Sequence, residues 1–190
     1  HAIEAFTSVN PNNNPISKML SIEALKLLGS SIEVAVSDGK NIKARSNMLL
    51  GSMLAGKAFA NSPVAAVHAL AYPIGGLFKI SHGLSNSLVL PHVLKFNSLN
   101  KDTRRNYAYL APYVFKKLEN SKNDEKVCNH FIDLLENLSK KLKLPYRLRD
   151  LGIPEEACNS MAKEAMKQTR LLVNNPRKIE ESDAFNIYKA

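Results

Sequence analysis

The sequence has no tryptophan, only two cysteines and no Gly-x-Gly-x-x-Gly run. With aromatic residues at 7%, the core has to be built mainly from Leu, Ile, Val, Ala and Met, a palette that favours helices. Cys128 and Cys158 are too few and too far apart for a zinc ribbon, and neither belongs to a Cys-x-x-Cys pair, so two buried reduced thiols are expected. The longest apolar stretch, Pro63 to Phe78, is interrupted by His68, Tyr72, Pro73, Gly75 and Gly76, and no leader-like n-region and h-region opens the chain. The expectation is a soluble, cytoplasmic domain without a membrane partner. Lacking a Gly-rich turn after a strand, the chain has no dinucleotide fold of its own, and a dinucleotide would have to be held mainly by another segment.

What is present fits one domain. A chain of 190 residues, 45% hydrophobic and 23% charged, can enclose a proper core. Its 26 basic and 17 acidic residues give a net charge of +9, which raises the question of an anionic partner. The basic residues, among them Arg104, Arg105, Lys116, Lys117, Lys140, Lys141, Lys143, Arg147 and Arg149, alternate with Asp and Glu, and few aromatics are interleaved for base stacking. They read as a solvated helical surface, with no nucleic-acid partner.

Capping and breaking residues divide the chain into helices. Asn14-Pro15 predicts a helix from Ile16 to about Val36, stopped by Ser37-Asp38-Gly39. A second is expected from Ile42 to Ala60. Ser62-Pro63 repeats the opening signal for a third, carrying His68 and broken by Pro73 and Gly75-Gly76. His82-Gly83 falls in a loop before a helix from Ser85 to Phe96, with a bend at Pro91. Further helices are expected over Lys101 to Leu118, Asp124 to Leu142, Pro154 to Val173 and Glu180 to Tyr188. With no alternating strand pattern and no repeat, the fold class is all-α, a multi-helix bundle.

Gly51-Ser-Met-Leu-Ala-Gly56-Lys57 nearly spells a phosphate-binding loop. The next residue is Ala58 where the chemistry needs Ser or Thr, and the run lies within a helical pattern with no strand before it, so glycines that pack helices are the better reading.

The histidines are more informative. His68 and His82 stand fourteen positions apart, and His1 opens the sequence in His1-Ala-Ile-Glu-Ala-Phe-Thr-Ser. Imidazole is a common ligand for first-row metals, and sequence-distant helices can bring three rings together. Taken alone, His68 is more ordinary as a hydrogen-bonded core histidine. Tyr72 follows four residues later, on the same helix face. His92 and His130 are read as structural, although His92 is close enough in sequence to lie near the site.

Three blocks carry a resemblance: His1-Ala-Ile-Glu-Ala-Phe-Thr-Ser; Val67-His68-Ala-Leu-Ala-Tyr72-Pro-Ile-Gly-Gly through Ser81-His82-Gly83; and Leu90-Pro91-His92-Val93. Together with Asn175-Pro176-Arg177 and the acidic segment after it, they make the chain resemble the iron-containing (group III) alcohol dehydrogenases, related in fold to glycerol dehydrogenase and dehydroquinate synthase. The resemblance implies that residues 1–190 are a dehydroquinate synthase-like C-terminal helical metal-binding domain. The sequence would be cut just before His1, with the N-terminal Rossmann-like domain that binds NAD or NADP missing. It implies Fe2+, alternatively Zn2+, held by His1, His68 and His82 together with an Asp four residues before His1, outside the sequence.

The implied activity is interconversion of a primary or secondary alcohol with its aldehyde or ketone. The cation would act as Lewis acid on the substrate oxygen and the nicotinamide would exchange hydride. The implied partners are a small alcohol or aldehyde and an NAD(P)-binding domain in cis or in trans, and a homo-oligomer is compatible with the family. Alone, the segment is expected to lack turnover. Many relatives carry a second histidine where this chain has Tyr72. A phenol, with an ordinary pKa of about 10, shuttles protons poorly at neutral pH, so Tyr72 is assigned to the pocket wall with a relay role secondary. The alternative is a catalytically inactive helical remnant or interaction domain of the same fold.

Overall fold

In the computed structural model, residues 1–118 and 123–190 are described, and the regular structure among them is helical throughout. The first helix, α1 (Ala2–Thr7), is short and buried along its whole length. Helix α2 (Pro15–Ser37) begins where the sequence supplies a full cap: the Asn14 side chain accepts from the Ile16 and Ser17 amides, Ser17 Oγ accepts from the Asn14 amide at 3.0 Å, and Pro15 occupies the first helical position. Asn41 caps α3 (Ile42–Asn61) in the same manner through the Ala44 amide.

Glycines set how closely α2 packs. A Cβ on Gly29 would lie 2.6 Å from the Val114 carbonyl oxygen, and one on Gly51 would lie 2.8 Å from Leu28 Cγ. Gly51 of the phosphate-loop-like run is therefore a packing glycine in the middle of α3, whereas Gly56 faces open space.

Helix α4 (Ala66–Phe78) departs from the sequence expectation at both ends. It does not open at Ser62-Pro63. Ser62 Oγ is bonded to the Ala5 carbonyl at 2.6 Å and the Val64 carbonyl accepts from Asn174 at 3.1 Å, which keeps this link out of the helix. Nor do Pro73 and Gly75-Gly76 break it. Pro73 forfeits one backbone bond, to the Ala69 carbonyl, while Leu70 and Ile74 on the same helix are fully buried and hold it in register. The helix stops at Lys79, in the left-handed region at φ 58°.

Helix α5 (His82–Asn97) then starts at once, so His82 is its first residue and not part of a loop, and the helix continues past Pro91. Helix α6 (Lys101–Val114) ends earlier than expected, because Phe115 leaves the helix and sets its ring edge-on to Phe131, centroids 6.1 Å apart. A 3-10 turn over Lys116–Leu118 follows. Helix α7 (Asp124–Lys141) has acids in its first turn and lysines in its last, matched to the helix dipole. The segment expected as one helix over Pro154 to Val173 divides into α8 (Ala157–Met166) and α9 (Thr169–Leu172), because Gln168 leaves helical backbone angles. Helix α10 (Glu181–Lys189) closes the chain.

The core contains Leu70, Ile74, Leu94, Leu110, Phe131 and Met161, all fully buried. Both cysteines are buried and free, as expected. The familial Asn175-Pro176-Arg177 segment secures the end of α5: Asn175 and Asn97 exchange hydrogen bonds of 3.0 and 2.8 Å, and the Arg177 guanidinium lies over the Phe96 ring. Tyr188 of α10 donates a 2.6 Å bond to the Leu70 carbonyl, which ties α10 to α4.

Candidate metal centre

The elements that carry the three histidines are fastened to one another. His1 directly precedes α1, His68 is the third residue of α4 and His82 the first of α5. The Ser62 bond to Ala5 pins the α4 lead-in to α1. The short link Lys79–Ser81 turns α5 back onto α4, and Gly75 lets that link approach, since a Cβ there would stand 3.2 Å from the Ile80 carbonyl oxygen.

As a result the rings converge. One donor nitrogen from each of His1, His68 and His82 lies within 4.8 Å of the others. The ring centroids are 4.5 Å apart for His1 and His68, 5.2 Å for His68 and His82, and 5.6 Å for His1 and His82. His68 is buried, while His1 and His82 are exposed.

Glu4, which the sequence reading passed over, completes the arrangement. Its carboxylate is buried on α1, with Oε1 accepting the Val67 amide at 2.7 Å and Oε2 lying 2.6 Å from His68 Nδ1. The first bond caps α4, whose own N-cap, Ala65, has no side chain for the task. Burial by itself would raise the Glu4 carboxyl; the hydrogen bond from His68 leads the effects that hold the group below the usual glutamate range. The sequence did contain a signal: Glu4 is three residues after His1, on a short segment whose other residues are apolar or Thr.

Two further neighbours frame the rings. Phe59 packs on His1 with centroids 4.7 Å apart. The Asn86 amide donates to the His82 carbonyl at 2.9 Å and lies 3.2 Å from His82 Nε2. Desolvation holds His82 below the ordinary imidazole value.

The donor set suits a borderline divalent cation such as Fe2+ or Zn2+. His68 Nε2 and His1 Nε2 lie 3.2 Å apart, the spacing of two nitrogens that share a tetrahedral ion at about 2.0–2.1 Å each. Tyr72 is one turn along α4 from His68, 38% exposed, and makes no hydrogen bond to a described residue. His92 is not part of the cluster. It lies ten residues further along α5 and lines a separate cavity with Tyr146, Arg147 and Cys158, while His130 is exposed on α7.

The profile of the family described as "Fe-containing alcohol dehydrogenase family, C-terminal" matches residues 1–190. The chain belongs to the iron-containing alcohol dehydrogenase family. It is similar to long-chain-alcohol dehydrogenase 1 of Geobacillus thermodenitrificans, 37% identical over all of this chain and 47% of that protein. It is also similar to 1,3-propanediol dehydrogenase of Citrobacter freundii, 33% identical over 100% of this chain and 47% of the relative. Among solved structures, a crystal structure of 1,3-propanediol oxidoreductase superposes with a TM-score of 0.91 at 32% identity, covering 100% of this chain and 48% of the other. The chain thus spans about half the length of these relatives and corresponds to the C-terminal, all-α half of the iron-containing alcohol dehydrogenase fold. Among the described residues no helix is long and apolar enough to cross a membrane.

Proposed function

We propose that residues 1–190 form the metal-binding half of an NAD(P)-dependent alcohol dehydrogenase, with His1, His68 and His82 as ligands to a divalent iron or zinc ion. The observation that carries this reading is the convergence of three imidazoles, one from the residue before α1 and one each from α4 and α5, within 4.8 Å in a chain of this family. When bound, the cation supplies a Lewis acid for the oxygen of an alcohol or carbonyl substrate, and NAD or NADP supplies the hydride acceptor or donor.

The chain's own residues set the conditions for that chemistry. Neutral imidazoles bind a cation without cancelling its charge, and the buried α4 packing holds His68 fixed while the other two rings are exposed. Tyr72, one turn beyond His68 and partly exposed, forms a wall of the substrate pocket and offers a hydroxyl for hydrogen bonding. The nicotinamide cofactor is contributed by an NAD(P)-binding domain, in cis or in trans, since the chain matches the C-terminal half of the family's members. The aspartate that the family resemblance sets four residues before His1 would add the one anionic ligand.

The test is expression of the full-length protein with assay of alcohol-dependent NAD(P)H formation, before and after chelator treatment. Turnover that chelation abolishes and Fe2+ or Zn2+ restores is expected. Full turnover in a protein stripped of metal would reject the proposal.

A further inference from the structure

We propose that Glu4 is the positioning residue of the metal centre: its carboxylate holds His68 in the Nδ1–H tautomer, so that the Nε2 lone pair faces the other two imidazoles. This rests on the metal-centre reading above. The two carboxylate oxygens have separate tasks. Oε1 accepts the Val67 amide at 2.7 Å and caps α4. Oε2 lies 2.6 Å from His68 Nδ1 in a buried setting.

An ionised carboxylate can only accept, so His68 Nδ1 must donate. A neutral imidazole has one N–H, which leaves Nε2 as the unprotonated, ligating nitrogen. That nitrogen lies on the side of the ring facing His1, 3.2 Å from His1 Nε2. The Glu4 contact therefore turns the His68 Nε2 toward the cluster. Because Glu4 is on the same helix that His1 precedes, one short element both presents one imidazole and orients the next. The negative charge it places behind His68 also strengthens that ring as a donor.

Glu4→Gln separates this role from capping. The glutamine carbonyl can still accept from the Val67 amide, which leaves its NH2 facing His68 Nδ1 and favours the Nε2–H tautomer, the form blocked for ligation. In the full-length protein, competition against a chromophoric chelator with Zn2+ as probe is expected to show affinity about 10–100-fold weaker in Glu4→Gln than in wild type. Its circular dichroism should be unchanged, and 15N-resolved spectra of the metal-free proteins should show His68 as Nδ1–H in wild type and Nε2–H in the variant.

Equal affinity in a folded Glu4→Gln protein would overturn the proposal. So would an Nε2–H His68 in the metal-free wild type, a measurement that decides the matter even if the variant fails to fold. Wild-type protein that takes up no Zn2+ would instead reject the metal-centre reading on which the proposal stands.

Discussion

His1 and His68 face each other nitrogen to nitrogen, with Nε2 atoms 3.2 Å apart, although 67 positions separate them in the chain. The His68 ring is additionally held from behind by Glu4, whereas the His1 ring is exposed and packs on Phe59 and the other imidazoles. His1→Ala is therefore expected to weaken Zn2+ binding by more than Glu4→Gln does, while changing unfolding stability by no more than about 0.5 kcal/mol. Chelator competition and urea denaturation of the metal-free protein measure the two effects.

The close approach of α2 to α6 makes a second expectation. A methyl group on Gly29 would stand 2.6 Å from the Val114 carbonyl oxygen and 2.8 Å from its Cα, both backbone atoms that cannot swing aside. Gly29→Ala should destabilise the fold by about 1–3 kcal/mol, read from the urea midpoint. A midpoint equal to wild type would show that the two helices can move apart freely.

Leu110 on α6 is fully buried in the core cluster. Leu110→Ala removes its contacts and leaves a cavity, for an expected loss of about 2–5 kcal/mol. Thermal and urea unfolding should agree on the direction.

Those expectations rest on tertiary contacts, and the same contacts mark the limit of what the sequence alone conveys. The start of α2 was legible because Asn14-Pro15 carries local capping chemistry. The all-helical class followed from composition and spacing, and His1, His68 and His82 were legible through their familial blocks. Pro73 and Gly75-Gly76 misled, because their local cost is outweighed by burial of Leu70 and Ile74, which no short window reveals. The start of α4 was misplaced for a related reason: its cap comes from Glu4, 63 residues upstream of the amide it satisfies. Glu4 itself went unremarked because a carboxylate on a short apolar helix gains meaning only once its partner is in place.

Burial raises the Cys128 thiol to about 11, although the nearby Arg104 opposes the shift. An unfolded thiol titrates at about 8.5, so between that pH and about 11 the unfolded chain releases a proton that the folded chain retains. Stability contributed at this site is accordingly lost as pH rises through that window. Wild type should lose stability more steeply than Cys128→Ala across it, in urea unfolding followed against pH. Parallel slopes would show that Cys128 is not the group responsible.

The most direct test of the central claim is metal content, measured by inductively coupled plasma mass spectrometry on purified full-length wild type, His68→Ala and His82→Ala. Stoichiometric iron or zinc is predicted in wild type and near-complete loss in both variants, with circular dichroism unchanged. Metal content that stays at the wild-type level in folded His68→Ala and His82→Ala proteins would contradict the assignment of the three imidazoles as the metal-binding site.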